Sequence, residues 1–274
     1  MSTVAASGAP AEIGPVGYAT DSLWVRRVPR PGAVIRLICL PFAGGGASVY
    51  RRMAALLPPW VELLAVQLPG REDRSGEAPP TDIARLVTAC AIALRPYTTV
   101  PYALYGHCAG GLLAFEIAHE MGGRFGTWPR RLIVAEQPAP QAAPPAEPLH
   151  LLPDERLLAA VRGRGGLPDA VARHAELQEF LLPLLRGEFA LWENYRHRRR
   201  PPLPVPITTI RALSGLADET GMAGWAEQTS AGHTGVSVEG GHYFVLDLTA
   251  AAARRIGEQL SAGAPAAQDG RTPA

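Results

Sequence analysis

The run Leu104-Tyr-Gly-His-Cys-Ala-Gly-Gly111 sets Cys108 between Gly106 and Gly110, with strand-like residues before it and a helical pattern after it. This is the Gly-x-nucleophile-x-Gly spacing of a sharp strand-to-helix turn, which strains its central residue and projects that side chain over the sheet edge. Glycines suit both flanking places because the turn is tight and the helix packs closely on the strand. The new helix also aims its positive end at the nucleophile, which favours a thiolate, as does a histidine partner. Cys39 and Cys90 lie in strand-like and helix-like runs and fit buried, small apolar residues. The chemistry implied at Cys108 is nucleophilic attack on a carbonyl. It needs a base and an acid, both later in the chain. His242, in Val238-Glu-Gly-Gly-His-Tyr-Phe244, follows a strand-like run where glycines permit a loop back to the turn. His233, in Ser230-Ala-Gly-His-Thr234, reads as part of a solvated turn, and His107 as a packing residue. For the acid, Asp218 occupies a loop after a late strand; Asp247 is its rival, in a place that suits an N-cap.

The elements that must position these groups alternate. Apolar runs at 34–40, 62–67, 102–105, 132–135 and 207–213 fit buried parallel strands, and amphipathic stretches at 50–57, 82–94 and 112–121 fit helices. The pattern predicts an α/β fold, a mostly parallel central sheet with helices on both faces. It fails between Pro138 and Pro206, where a Pro- and Ala-rich linker leads into helical patterns around 154–161 and 175–195. We therefore expect one domain over residues 21–260 carrying a helical lid at about 140–203, with disordered tails at 1–20 and 261–274. Leu181, Leu182, Leu184, Leu185, Phe189 and Trp192 of the lid either pack its helices together or line an acyl pocket.

Composition removes several alternatives. All 26 basic side chains counted as Lys+Arg are arginine, so Schiff-base, pyridoxal phosphate and P-loop chemistry lack their amine. A net charge of +1 argues against a nucleic-acid or membrane partner, and no run is apolar for long enough to span a bilayer. The N-terminus has no signal-peptide pattern, so the expected location is the cytoplasm. Three widely spaced cysteines suggest neither a disulfide framework nor a zinc site, and we expect no metal and no cofactor.

The chain resembles the type II, stand-alone editing thioesterases that accompany polyketide synthases and nonribosomal peptide synthetases. The resemblance runs from Trp24 to Leu260 through Leu40-Pro-Phe-Ala-Gly-Gly-Gly46 with Tyr50, Gln67-Leu-Pro-Gly-Arg71, the Cys108 turn, Gly166-Leu-Pro168, Leu182-Pro-Leu-Leu185, Asp218 with Trp225, and Gly241-His242. It implies the α/β-hydrolase fold, a Cys108–His242–Asp218 triad, and an oxyanion hole from the amides of Ala43 and Ala109. It also implies action on acyl groups borne by the phosphopantetheine arm of an acyl or peptidyl carrier protein, and we expect a monomer. Carrier proteins are usually acidic, and the basic run Arg196-His-Arg-Arg-Arg200 is either a docking patch for one or an ordinary solvated loop. The family normally has serine where this chain has Cys108. Acylating a cysteine exchanges one thioester for another, so transfer of the acyl group to another carrier thiol or to an amine stands beside hydrolysis. An inactive α/β-hydrolase acting as a binding module is the alternative of another class.

Overall fold

The computed structural model describes residues 17–142, 147–167, 171 and 173–261. Residues 1–16 and 262–274, most of the tails expected at 1–20 and 261–274, and Pro168 of the matched lid segment lie outside the described residues. An eight-stranded sheet has the order β1-β2-β4-β3-β5-β6-β7-β8. Its strands are β1 (Ala19–Thr20), β2 (Val25–Arg27), β3 (Ile35–Leu40), β4 (Val61–Val66), β5 (Tyr102–His107), β6 (Leu132–Ala135), β7 (Ile207–Ser214) and β8 (His233–Gly241). From β4 to β8 every neighbouring pair is parallel; β1 and β2 are antiparallel additions at one edge.

Side chains on β5 alternate between two cores: Tyr102 and Leu104 join the one beneath α2 (Ile83–Leu94) and α3 (Ala109–Phe125). Ala103 and Tyr105 join the one beneath α1 (Arg51–Leu56) and α7 (Ala250–Ser261). Both faces of the sheet are thereby covered, which is why its central strands read as continuous apolar runs. Asp82 caps α2 by accepting from the Arg85 amide at 2.9 Å, and Cys39 and Cys90 are fully buried within the two cores.

Between β6 and β7 the chain builds the lid, with α4 (Asp154–Gly163) and α5 (Ala175–Glu193) as its helices. Leu157, Val161, Leu167, Leu185 and Phe189 of the lid form a third apolar cluster with Ala43, Ala109 and Cys108. The lid is therefore seated on the Cys108 turn.

Three boundaries differ from expectation. Ala19–Thr20 pairs with β2 and belongs to the sheet rather than to a tail, and Ser261 is the last residue of α7. His233 opens β8, where its Nε2 lies 3.0 Å from Thr209 Oγ1, instead of sitting in a solvated turn.

Candidate active site

Cys108 lies just past β5, between that strand and α3, with φ 52° and ψ −128°. A side chain at this φ is strained, and the packing around the turn enforces it. A Cβ added at Gly106 would stand 2.0 Å from the Gly110 carbonyl oxygen, and one at Gly110 would stand 2.2 Å from that of Leu40. The Cys108 amide donates to the Ala135 carbonyl at 2.8 Å, which locks the turn to the end of β6. Cys108 is half-buried, and its side chain acts on the His242 ring to favour that ring's charged form.

His242 follows β8 and is 7% exposed. Its Nδ1 meets Oε2 of Glu136 at 3.0 Å. Its backbone carbonyl accepts from His107 Nε2 at 2.7 Å. Since a carbonyl can only accept, His107 carries its proton on Nε2, leaving Nδ1 to accept from the Tyr105 hydroxyl at 3.4 Å. Burial drives the His107 pKa down to about 3, so this ring is a neutral strut that fixes the His242 backbone. Burial also works against charge on His242, but the hydrogen bonds and attraction of Cys108 and Glu136 outweigh it and push the pKa up to about 9. The His242 ring thus favours its protonated form at neutral pH.

The acid partner of His242 is Glu136, in place of the expected Asp218. Glu136 comes directly after β6, with φ 53° and 2% exposure. Its carboxylate accepts from the amides of Ala212 at 2.6 Å and Leu216 at 3.0 Å as well as facing His242. Burial alone would raise its pKa; the bonds from His242 and these two amides hold it below the usual 4.5. Asp218 is exposed and caps α6 (Glu219–Ala223), accepting from the Gly221 amide at 2.5 Å. The loop after β7 thus contributes amides to the acid and not the acid itself. Asp247 is exposed too, and the capping expected of it falls to Thr249, whose Oγ1 accepts from the Ala252 amide at 3.1 Å.

A signal for Glu136 was present in the chain. It directly follows the apolar run 132–135, and parallel strands end at one edge, so the residue after β6 lies beside the residue after β5. Trp225 secures this segment through an Nε1 bond to the Gln137 carbonyl at 2.8 Å.

Ala43 and Ala109 belong to the lid cluster against which Cys108 packs. As the first residue of α3, Ala109 has an amide without an intrahelical acceptor, and among the described residues neither its amide nor that of Ala43 donates to a protein group. The Ala43 loop is tied to the lid. Glu188 of α5 accepts from the Gly44 amide at 2.5 Å and forms a buried ion pair with Arg71, which also donates to the Gly45 carbonyl at 2.9 Å.

A cavity of about 730 Å³ opens on Cys108 and His242. Phe189 and Trp192 of the lid line it together with Leu112, Leu216 and Ala217. Leu184 and Leu185 are buried in packing, so the lid's apolar residues divide between the two expected uses. The run Arg196–Arg200 divides likewise. Arg196 and Arg199 line this cavity, while Arg200 pairs with Glu116 at 2.7 Å. A larger cavity of about 920 Å³ between α2, α3 and the end of α5 contains neither Cys108 nor His242.

Residues 35–260 match the family model described as thioesterase domain. The gramicidin S biosynthesis protein GrsT of Aneurinibacillus migulanus is 34% identical over 78% of this chain and 84% of its own length. Thioesterase PikA5 of Streptomyces venezuelae is 35% identical over 83% of this chain and 82% of its own. Among solved structures, the type II thioesterase BorB from the borrelidin biosynthetic cluster superposes with a TM-score of 0.79 at 36% identity. That match covers 87% of this chain and 98% of BorB. With these neighbours, the mostly parallel sheet and the helices on both its faces are the α/β-hydrolase fold.

Proposed function

We propose, from the premise that the chain belongs to the thioesterase family and is homologous to the type II thioesterases of polyketide and nonribosomal peptide biosynthesis, that it hydrolyses acyl groups held on the phosphopantetheine arm of an acyl or peptidyl carrier protein by way of an acyl-Cys108 intermediate. The observation that carries this reading is the continuous line from Cys108 through His242 to Glu136 along a cavity that Leu112, Phe189 and Trp192 also line. In the first half-reaction the Cys108 thiolate attacks the thioester carbonyl. The oxyanion that forms is stabilised by the amides of Ala43 and Ala109, each worth about 2.7–4 kcal/mol by the usual cost of removing such a donor. The carbon–sulfur bond to the arm then breaks, and His242 gives its proton to the departing thiol. In the second half-reaction His242 takes a proton from water, hydroxide adds to the acyl carbon, and Cys108 leaves as thiolate with release of the free acid. Glu136 keeps the His242 proton on Nδ1 between these events and balances the imidazolium charge.

Because acyl-Cys108 keeps the transfer potential of a thioester, a second reading follows from the cysteine itself: delivery of the acyl group to another thiol or an amine. The test is acyl carrier protein loaded with a short fatty acyl group. The unaltered protein should release free acid with turnover, and Cys108→Ala and His242→Ala, if folded, should lose at least about 10³-fold. Normal rates in either variant would overturn the assignment.

A further inference from the structure

We propose that Arg164, Arg196 and Arg199 form an anion subsite at the cavity mouth that reads a negative charge carried by the substrate, either the phosphodiester of its thiol arm or a carboxylate on its acyl group. This rests on the reading of Cys108 as the attacking group and adds to it a determinant of substrate choice. Three arginines from two segments line one cavity: Arg164 just past α4, and Arg196 and Arg199 in the segment after α5. The cavity's two carboxylates are already engaged. Glu136 is taken by His242 and backbone amides. Glu193 meets His150 Nδ1 at 2.6 Å and accepts from the Leu149 and His150 amides at 2.8 and 3.1 Å.

Among the described residues none of the three arginines forms an ion pair. Arg196 donates only to the neutral carbonyls of Glu193 and Tyr195, at 3.1 and 2.9 Å. Arg200, the last residue of the same basic run, contrasts with them by pairing with Glu116 and stacking over Phe115 at 4.9 Å. Positive charge without a carboxylate partner therefore lines the cavity that holds the sulfur, Arg196 being shared with the larger cavity. Guanidinium forks match phosphate and carboxylate oxygens two at a time. Low-dielectric walls such as Phe189 and Trp192 concentrate the field along the entry path.

The experiment is a matched panel of thioesters. One acyl group is presented on N-acetylcysteamine, pantetheine and phosphopantetheine, and butyryl is compared with succinyl on N-acetylcysteamine. We expect an anionic member to exceed its neutral counterpart in kcat/KM by about tenfold or more, with the ratio falling toward one in Arg196→Ala, Arg199→Ala and Arg164→Ala. A preference for phosphopantetheine assigns the subsite to the arm, and a preference for succinyl assigns it to the acyl group. Ratios near one throughout, or ratios indifferent to all three substitutions, overturn the proposal. Calorimetric binding of phosphopantetheine, pantetheine, succinate and butyrate to Cys108→Ala reads the subsite with chemistry switched off. Absence of turnover in the parent protein would count against the hydrolase, whereas equal binding of charged and neutral members would count against the subsite.

Discussion

Glu136 is the residue on which the reading of this site turns, because its carboxylate has no water to fall back on and each of its bonds is to a group fixed by another strand. Replacing it by glutamine keeps the shape but removes the charge that balances the His242 imidazolium, and it turns an amide NH2 toward backbone donors. Glu136→Gln should lower turnover by about 10²–10⁴-fold, within the range seen when a triad acid is neutralised. Asp218→Asn should leave kcat near that of the parent, since an asparagine caps a helix about as well as an aspartate. Steady-state kinetics of the two variants at matched stability check the ranking; the reverse order would return the acid to the loop after β7.

At the scale of elements, the site is a set of loop ends at one edge of the parallel strands, and how legible each was depended on how local its signal is. The Cys108 turn needs two glycines at fixed spacing within a few residues, so both its position and its chemistry could be read directly. His242 could be placed because glycines precede it. Glu136 was legible only in part: it directly follows the apolar run 132–135, but no nearby residue marks it as the partner of a histidine. Its role depends on β6 lying beside β5 and on the loop after β7 turning its amides inward, and both are facts of tertiary pairing. The five buried strands were legible as apolar runs. Ala19–Thr20 and Val25–Arg27 were not, being too short, and neither was the start of β8, where an edge strand rich in Ser, Thr and Gly stays largely exposed. Gly215 shows how closely the β7 loop is fitted to the acid, since a Cβ there would stand 2.2 Å from Glu136 Oε2. Gly215→Ala should therefore push the carboxylate away from His242 and reduce kcat by about 10²-fold, as displacements of about 1 Å commonly do. Unchanged kcat in a folded Gly215→Ala protein would show that the loop yields instead.

For the molecule as a whole, the lid, the Ala43 loop and the Cys108 turn are one packed unit, joined by the Arg71–Glu188 pair and by the apolar cluster above the sulfur. The titrating groups inside it link the stability of the fold to pH. The pKa of His242 is raised from 6.5 to about 9, so its contribution is fully present below pH 6.5 and is lost as pH rises through about 9. That of Glu136 is lowered, so its contribution is present above 4.5 and is lost as pH falls below that value. Thermal unfolding followed across pH should accordingly show Tm falling on the alkaline side, and His242→Gln should flatten that fall; an unaltered alkaline limb would place its origin elsewhere. Residue, element and whole molecule all serve one event, the passage of the acyl group through a thioester on Cys108 to water as the acceptor. Intact-mass spectrometry after rapid mixing with one equivalent of acyl carrier protein thioester tests it most directly. A single acyl adduct should form on Cys108 and decay to free acid without added acceptor, at a rate matching turnover. A lasting adduct that clears only onto a second carrier thiol or an amine, or an adduct on any other residue, would contradict it.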